Sequence, residues 1–197
     1  GKGLVFRARF DKTRRGVAYT SVRAVFSNFS DKLARAGVSV AGIRERLLLE
    51  LGDNAQVLID ILPQMEVVLG KQKPAPQLSV QENRARMVEV FRTFLQLLCS
   101  SPRPCVFIFD NTQWADEASI GLFVEACKDF AITNCMFVFS YRDTMQTENP
   151  GFYAYVSQSR QQFRKIVHIE IRPQDVQDLA EIIDDIFPPE EGGAGAT

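Results

Sequence analysis

The feature that most constrains the fold of this chain is a nearly continuous apolar run at residues 104–110 (PCVFIFD), which ends in an acid. Such runs are typical of a parallel strand covered on both faces, because a strand with one wet face alternates apolar and polar residues. A second run lies at 135–141 (CMFVFSY). Two alternating segments, 4–10 (LVFRARF) and 165–171 (KIVHIEI), predict two more strands.

Helical patterns separate these strands. Apolar residues at helical spacing predict helices at 19–36, 39–51, 54–62, 79–100, 117–130 and 173–187. Ser79 with Glu82 forms the S-x-x-E pattern of a capping box, which would open the longest of them. Strands alternating with helices indicate an α/β domain with a mostly parallel sheet, whose ligands bind at the carboxyl ends of the strands.

The domain is expected to cover residues 1–187, with a helical insert at about 39–78 and a disordered tail at 188–197. The segment 71–77 (KQKPAPQ) is the best internal boundary, because two prolines within three residues exclude regular structure. The tail is rich in glycine and alanine, which cannot build a packed core.

Composition argues against several classes of function. With 23 basic and 24 acidic residues the net charge is −1, so nucleic acid is not indicated as a partner. No signal peptide or membrane-spanning apolar stretch is visible. Four cysteines without a CxxC pair and a single histidine, His168, argue against a zinc site. We expect free thiols and a reducing, cytoplasmic location.

Polar residues follow the two apolar runs at once: Asp110 and Asn111 after the first, Arg142 and Asp143 after the second. A buried carboxylate needs a compensating partner, and Mg²⁺ is one such partner. A guanidinium at a strand end can bond phosphate oxygens in a fixed fork. On these residues alone, the ordinary alternatives stay open: a strand that merely ends in a turn, and a surface Arg142 paired with Asp143.

The continuation of the first run carries a family resemblance. The segment CVFIFDNTQWADEAS resembles the Walker B region of the AAA-like ATPase module found in signal-transduction NTPases with numerous domains (the STAND group) and in origin-recognition-type AAA ATPases. The typical family phrase is L-D-D-L-Q-W-A-D-x-x-S, and the matching residues are Asp110, Gln113, Trp114, Ala115, Asp116 and Ser119. Weaker matches extend the resemblance over about 4–187, namely Phe10-Asp11 with Tyr19-Thr20-Ser21, QENR at 81–84, and IEIRPQDVQDL at 169–179.

The resemblance implies a three-layer, P-loop NTPase-like fold in an ATP-binding regulatory or signalling protein, with ATP and Mg²⁺ as cofactors. Asp110 would hold Mg²⁺, Asn111 would lie near the attacking water, and Arg142 would sense the γ-phosphate. The implied partners are ATP, other domains of a larger multidomain protein, and a nucleotide-dependent oligomer.

Two departures limit what the chain can do alone. The phosphate-binding loop G-x-x-x-x-G-K-S/T is absent, and Gly1-Lys2-Gly3 lacks the Ser/Thr and the helix it needs. The chain therefore resembles a fragment that lacks the first strand and the phosphate loop, and we expect it to be inactive alone. Asn111 replaces the usual acid and cannot accept a proton, so nucleotide should be bound better than it is cleaved. The alternatives are a degenerate, non-catalytic interaction module of the same fold, and an unrelated α/β enzyme.

Overall fold

The computed structural model describes residues 3–14, 16–100, 104–127, 132–142, 144–159 and 166–171, together with residues 179 and 186. The chain forms two compact units, Gly1–Arg164 and Lys165–Thr197. The first unit contains the sheet and every predicted site residue.

Within the described residues, three parallel strands form a sheet in the order β1-β2-β3. They are β1 (Leu4–Arg9), β2 (Cys105–Asp110) and β3 (Cys135–Phe139). Phe6, Phe107 and Phe137 share one row of the register, and Arg9 lies opposite Asp110. The α/β class, the parallel sheet and three of the four predicted strands are thereby confirmed.

The two faces of the sheet differ in burial. On one face, Leu4, Phe6 and Ala8 of β1 are buried, whereas the intervening Val5, Arg7 and Arg9 are exposed. The opposite side, which we call the open face, is made of Val5, Arg7, Arg9, Val106, Ile108, Asp110, Met136 and Val138. The apolar run of β2 was expected to be covered on both faces. Its open-face residues are only half-buried in the described part of the chain, because the helices described below pack on the other side.

Nine α-helices are described. They are α1 (Thr20–Val25), α2 (Phe29–Arg35), α3 (Val40–Leu51), α4 (Ala55–Ile61), α5 (Glu66–Leu69), α6 (Val80–Cys99), α7 (Glu117–Cys127), α8 (Met145–Glu148) and α9 (Pro150–Ser159). Short 3₁₀ turns lie at Lys12–Arg14, Gly52–Asn54, Pro63–Met65 and Thr112–Trp114. None of the described helices has the length and apolar character needed to cross a membrane.

The predicted helix starts at Ser39 and Ser79 are confirmed. The Ser39 hydroxyl accepts a hydrogen bond from the Gly42 N–H at 3.1 Å. Ser79 and Glu82 form the full capping box, in which each side chain bonds the other residue's backbone N–H. The segment 19–36, in contrast, forms two helices, because Asn28 adopts the left-handed conformation with φ 53° and no right-handed helix passes through such a residue.

The strand predicted at 165–171 is wrong. Residues 166–171 form no strand, and Ile169 and Ile171 are 79% and 92% exposed. Alternating apolar and polar residues are compatible with a half-buried strand. A strand also requires a neighbouring strand whose backbone groups complete its hydrogen bonds. Within the helix predicted at 173–187, only residues 179 and 186 are described, and both are helical. The tail at 188–197 lies outside the described residues.

Phenylalanine rings form the centre of the core. Phe26, at the end of α1, is fully buried. Six other rings lie 5.0 to 6.4 Å from it, centroid to centroid: Phe6, Phe29, Phe91, Phe94, Phe107 and Phe123. They come from β1, β2, α2, α6 and α7, so this cluster joins the helices to the covered face of the sheet.

Candidate functional site

Asp110 is the last residue of β2 and lies at the carboxyl edge of the sheet, on the open face. Its Oδ1 accepts a hydrogen bond from the Ser140 hydroxyl at 2.6 Å. Its Oδ2 lies 3.8 Å from Arg7 Nη2 and 3.8 Å from Arg9 Nε. The carboxylate is 25% exposed, so it is compensated by neighbours and still reachable from solvent.

Ser140 joins the ends of the two strands. Its backbone N–H donates to the Phe109 carbonyl at 2.9 Å, which continues the ladder one residue beyond β3. Its Oγ, which donates to Asp110, also accepts from the Asn111 N–H at 3.2 Å. Sequence reasoning missed this residue. The sequence does show a serine at the end of the second apolar run. Its role becomes visible only when β2 and β3 are known to be neighbours in the sheet.

The backbone conformation of Asn111 and the side chain of Thr112 shape the turn after Asp110. Asn111 has the left-handed φ of 58°, a conformation that asparagine tolerates better than most residues. The next residue, Thr112, is fully buried, and its hydroxyl donates to the carbonyls of Phe109 and Ser140 at 3.2 and 2.9 Å. The structure thus brings together Asp110 and Asn111 from the predicted site, and adds Ser140.

Arg142 lies in a different environment. Its guanidinium carbon is 5.6 Å from the centroid of the Trp114 ring, and the side chain is exposed. This distance is that of a cation–π contact. Among the described residues, the ion-pair partners of Asp110 are Arg7 and Arg9, not Arg142. Asp143, the alternative partner considered for Arg142, lies outside the described residues.

The loop that carries Trp114 is also fastened to α9, a helix that the sequence did not predict. The Asn149 amide donates to the carbonyls of Gln113 and Ala115 at 3.4 and 3.2 Å. Its Oδ1 accepts from the Phe152 N–H at 3.1 Å and so opens α9. Gln113 itself is fully buried. The contact from Asn149 is therefore made by the Gln113 backbone, not by its side chain.

Asp116 lies at the centre of a buried hydrogen-bond cluster. Its Oδ1 accepts from the backbone N–H groups of Tyr19 and Ser119, both at 2.9 Å. Its Oδ2 accepts from the Ser21 N–H at 2.9 Å and from the Ser119 hydroxyl at 2.8 Å. In return, the Asp116 N–H donates to the Ser21 hydroxyl at 3.1 Å. We call Asp116, Ser119 and Ser21 the Asp116 clamp.

The clamp opens two helices with one carboxylate, because its acceptors satisfy N–H groups at the start of both α1 and α7. It also brings together two sequence segments that each resemble the family. One is Tyr19-Thr20-Ser21, and the other is Asp116–Ser119 at the end of the CVFIFDNTQWADEAS motif. Burial alone would raise the pKa of Asp116. The hydrogen bonds from Ser21 and Ser119 outweigh the effect of burial and hold the pKa of Asp116 below its usual value. The Asp116 carboxylate is therefore ionised at neutral pH.

A cavity of about 260 Å³ lies beside the carboxyl end of β1. It is lined by Arg9, Phe10, Asp11, Thr13, Thr20, Ser21, Ala24 and Trp114. Pockets that enclose small molecules commonly measure roughly 300–1,000 Å³. The described residues therefore offer part of a binding surface but do not enclose a nucleotide.

The donor set at Asp110 fits Mg²⁺ as one contributor among several. In the described part of the chain, no group of three or more His, Cys, Asp or Glu residues could hold a metal ion by itself. Mg²⁺ is commonly bound through one or two carboxylates, with waters and substrate phosphates as its other ligands. Asp110 with the Ser140 hydroxyl offers such oxygens, whereas the charges of Arg7 and Arg9 oppose a bound cation.

Comparison with known proteins agrees with the α/β fold. The family model for the AAA ATPase domain matches residues 1–138, which include β1, β2 and the Asp116 clamp and end before Ser140. The hybrid signal transduction histidine kinase G of Dictyostelium discoideum is 24% identical over 114 residues. That alignment covers 58% of this chain but 3% of the kinase, so the chain spans a small part of this relative's length. No solved structure matches at a significant level. Because the family match covers well over half of its length, the chain belongs to the AAA ATPase domain family.

Proposed function

We propose that this chain contributes the magnesium-side strand of an ATP-binding domain in a larger regulatory or signalling protein. The observation that carries the proposal is the position of Asp110, held by Ser140 at the carboxyl edge of a parallel sheet in a member of the AAA ATPase domain family. Asp110 would hold Mg²⁺ in such a site, and the ion would neutralise charge on the phosphates of ATP.

Each site residue has a separate role in the proposal. Asp110 binds Mg²⁺ directly or through a water molecule, and Ser140 orients its carboxylate. Arg142 senses the γ-phosphate, because a guanidinium can bond phosphate oxygens in a fixed fork. Asn111 lies near the attacking water, to which it can donate or accept a hydrogen bond but from which it cannot take a proton.

The proposal includes a phosphate-binding loop that the 197 residues do not contain. It also includes the complete three-layer, P-loop NTPase-like arrangement, in which a second layer of helices covers the open face. The half-buried Val106 and Ile108 at the centre of that face support this part, because apolar residues there gain from being covered.

Magnesium-dependent nucleotide binding tests the role of Asp110. The experiment uses a chain that contains these residues together with a phosphate-binding loop. A fluorescent ATP analogue should bind to it more tightly with Mg²⁺ than without it. Asp110→Asn should remove most of that difference, a loss of about tenfold in affinity or more. Asp31→Asn is the matched control, because Asp31 is an exposed acid on α2. A magnesium effect that survives Asp110→Asn would contradict the assignment.

Asn111→Asp tests why hydrolysis should be slow. The aspartate could accept a proton from the attacking water, so turnover should rise while nucleotide affinity changes little. Phosphate release at saturating ATP measures this. Unchanged turnover would show that Asn111 does not limit the reaction.

The second candidate is a degenerate, non-catalytic interaction module of the same fold. Two observations favour it: Arg7 and Arg9 already neutralise Asp110, and Asn111 stands in place of an acid. Absence of any nucleotide binding by a chain that includes a phosphate loop would support this alternative over the first.

The partners of the protein are proposed on the same basis. They are ATP, further domains of the same protein and a nucleotide-dependent oligomer. A role in signal transduction rests on the distant similarity to the hybrid histidine kinase. The cytoplasmic location stays a prediction.

A further inference from the structure

Three of the four thiols lie together at the end of the sheet opposite Asp110. Cys105 opens β2 and Cys135 opens β3, and the two residues are partners in the register. Cys99, the last residue of α6, lies beside them. We call Cys99, Cys105 and Cys135 the thiol triad.

Hydrogen bonds hold the triad in place. The Asn134 amide donates to the Cys99 carbonyl at 3.4 Å, and the Asn134 carbonyl accepts from the Cys105 N–H at 3.0 Å. The Cys105 thiol donates to the Leu98 carbonyl at 3.5 Å. The end of α6 is therefore fastened to the first residues of both strands.

The backbone places Cys105 and Cys135 within disulfide range. Neighbouring strands lie about 4.7–4.9 Å apart, and a disulfide joins Cα atoms that are about 4.4–6.8 Å apart. Both residues lie in the row of Leu4, so their side chains point to the covered face. A bond between them needs no change of register.

The three thiols differ in access and in acidity. Cys99 and Cys105 are buried, whereas Cys135 is half-buried and can be reached by a small oxidant. Hydrogen bonding among the three thiols, with Cys99 as the protonated member, raises the pKa of Cys99 and lowers the pKa of Cys105 and of Cys135. Because the thiolate is the reactive form, Cys135 is the residue that is both accessible and activated.

We propose that the thiol triad is a site of reversible oxidation by peroxide, in which Cys135 reacts first, Cys105 becomes its disulfide partner and Cys99 stays protonated beside them as a hydrogen-bond donor. The Cys135 thiolate attacks one oxygen of hydrogen peroxide, so that an S–O bond forms, the O–O bond breaks, and the released hydroxide takes a proton to become water. The Cys105 thiol, which donates to the Leu98 carbonyl in the reduced state, then loses its proton and attacks the sulfenic sulfur. An S–S bond forms, the S–O bond breaks, and the leaving hydroxide takes up a proton to become the second water. Two thiols are oxidised by two electrons and one peroxide is reduced to two waters.

Cys127 provides an internal control. It is buried, and burial, followed by the charge of the neighbouring Cys135, raises the pKa of its thiol to about 12, so it stays protonated at neutral pH. Cys127→Ser should leave the peroxide reaction unchanged.

Mass spectrometry tests the pairing. The native chain is treated with hydrogen peroxide, blocked with an alkylating reagent, unfolded, alkylated again with a second reagent and digested. The expected product has lost two hydrogens and contains a Cys105–Cys135 cross-linked peptide, with Cys99 and Cys127 as free thiols. A dithiol reductant should reverse it. A disulfide through Cys99 or Cys127, or no disulfide at all, overturns the proposal.

The role of Cys99 requires a readout that a purely structural residue would not change. In Cys99→Ala the same pair should still form, but several-fold more slowly at pH 7, and the pH midpoint of the reaction rate should move upward because the thiolates have lost their donor. An unchanged pH profile in a variant that keeps the wild-type circular dichroism and melting temperature contradicts the donor role. Cys135→Ser should abolish the disulfide, and the wild-type peptide map remains decisive if that variant does not fold.

Discussion

Asp110 and Asp116 belong to the same motif but have opposite surroundings. Asp116 is 3% exposed and every hydrogen bond it makes serves the backbone or a neighbouring serine. Asp110 lies at the sheet edge, is compensated by one hydroxyl and two arginines, and remains in contact with solvent. Within one motif, Asp116 therefore has a structural role, whereas Asp110 is available to a ligand.

Asp116→Asn should destabilise the chain strongly. The amide would present an NH₂ group to N–H and O–H donors that now face a carboxylate oxygen, and hydrogen bonds to a charged group contribute about 1.5–3 kcal/mol each. We expect a loss of about 2–4 kcal/mol in the free energy of unfolding, measured by urea denaturation. The exposed Asp31→Asn should lie within about 0.5 kcal/mol of wild type.

The same carboxylate predicts a dependence of stability on pH. Because the folded pKa of Asp116 is depressed, its contribution is present above the unfolded pKa of about 3.9 and is lost as the pH falls toward the folded value. The difference in stability between wild type and Asp116→Asn should therefore be largest near neutral pH and shrink below about pH 4. A difference that stays constant from pH 7 to pH 3 would show that the clamp does not depend on ionisation.

The sequence could indicate Asp110 and Asn111, because both follow directly from the end of one apolar run. It could not indicate Ser140 or the arginines of β1, since their proximity to Asp110 depends on strand register, which no local pattern contains. The distance between Arg142 and Asp110 depends likewise on side-chain rotamers. Two of the partners of Asp116, Tyr19 and Ser21, lie 97 and 95 residues away along the chain.

At the scale of elements, the boundaries set by caps were predictable and those set by single residues were not. The start of α6 at Ser79 follows from residue types that bond the first turn. The break between α1 and α2 depends on one residue, Asn28, whose left-handed backbone interrupts an otherwise continuous apolar stripe. The segment 166–171 shows the converse case, because its alternating pattern is that of a strand although no strand forms.

Asn28 should tolerate glycine better than alanine. Glycine adopts a positive φ without steric cost, whereas alanine in the left-handed region costs about 1–2 kcal/mol. Asn28→Ala should therefore lose about 1 kcal/mol in thermal or urea unfolding, and Asn28→Gly should be neutral or slightly stabilising. Asn54→Ala serves as the comparison, because Asn54 has an ordinary φ of −91°. Equal effects of alanine and glycine at position 28 would contradict the backbone explanation.

The first compact unit, Gly1–Arg164, depends on aromatic packing that joins distant parts of the sequence. The rings around Phe26 come from residues as far apart as Phe6 and Phe123. The apolar runs and stripes sufficed to predict an α/β fold with these residues in its core. They did not predict that the residues of one face of the sheet are only half-buried or exposed in the described part of the chain, since a long apolar run is the same whether or not a second helical layer is present.

Phe26→Ala should remove a large share of the stability of this unit. Truncating a fully buried phenylalanine costs about 3–5 kcal/mol, because transfer energy is lost and a cavity remains. Phe139→Ala deletes the same atoms from a ring that is 37% exposed, so it should cost less than half as much. Chemical denaturation of the two variants measures the difference, and equal losses would show that Phe26 is not the centre of the core.

The Asp116 clamp affects what can be inferred from finding this motif in a related chain. The end of the signature phrase, Asp116 to Ser119, is needed for two helices to begin correctly, whatever happens to the chemistry at Asp110. A descendant that had stopped using ATP would still need those residues in order to fold. The most recognisable part of the motif is thus a record of ancestry and architecture, and Asp110 with its neighbours is the place to look for retained activity.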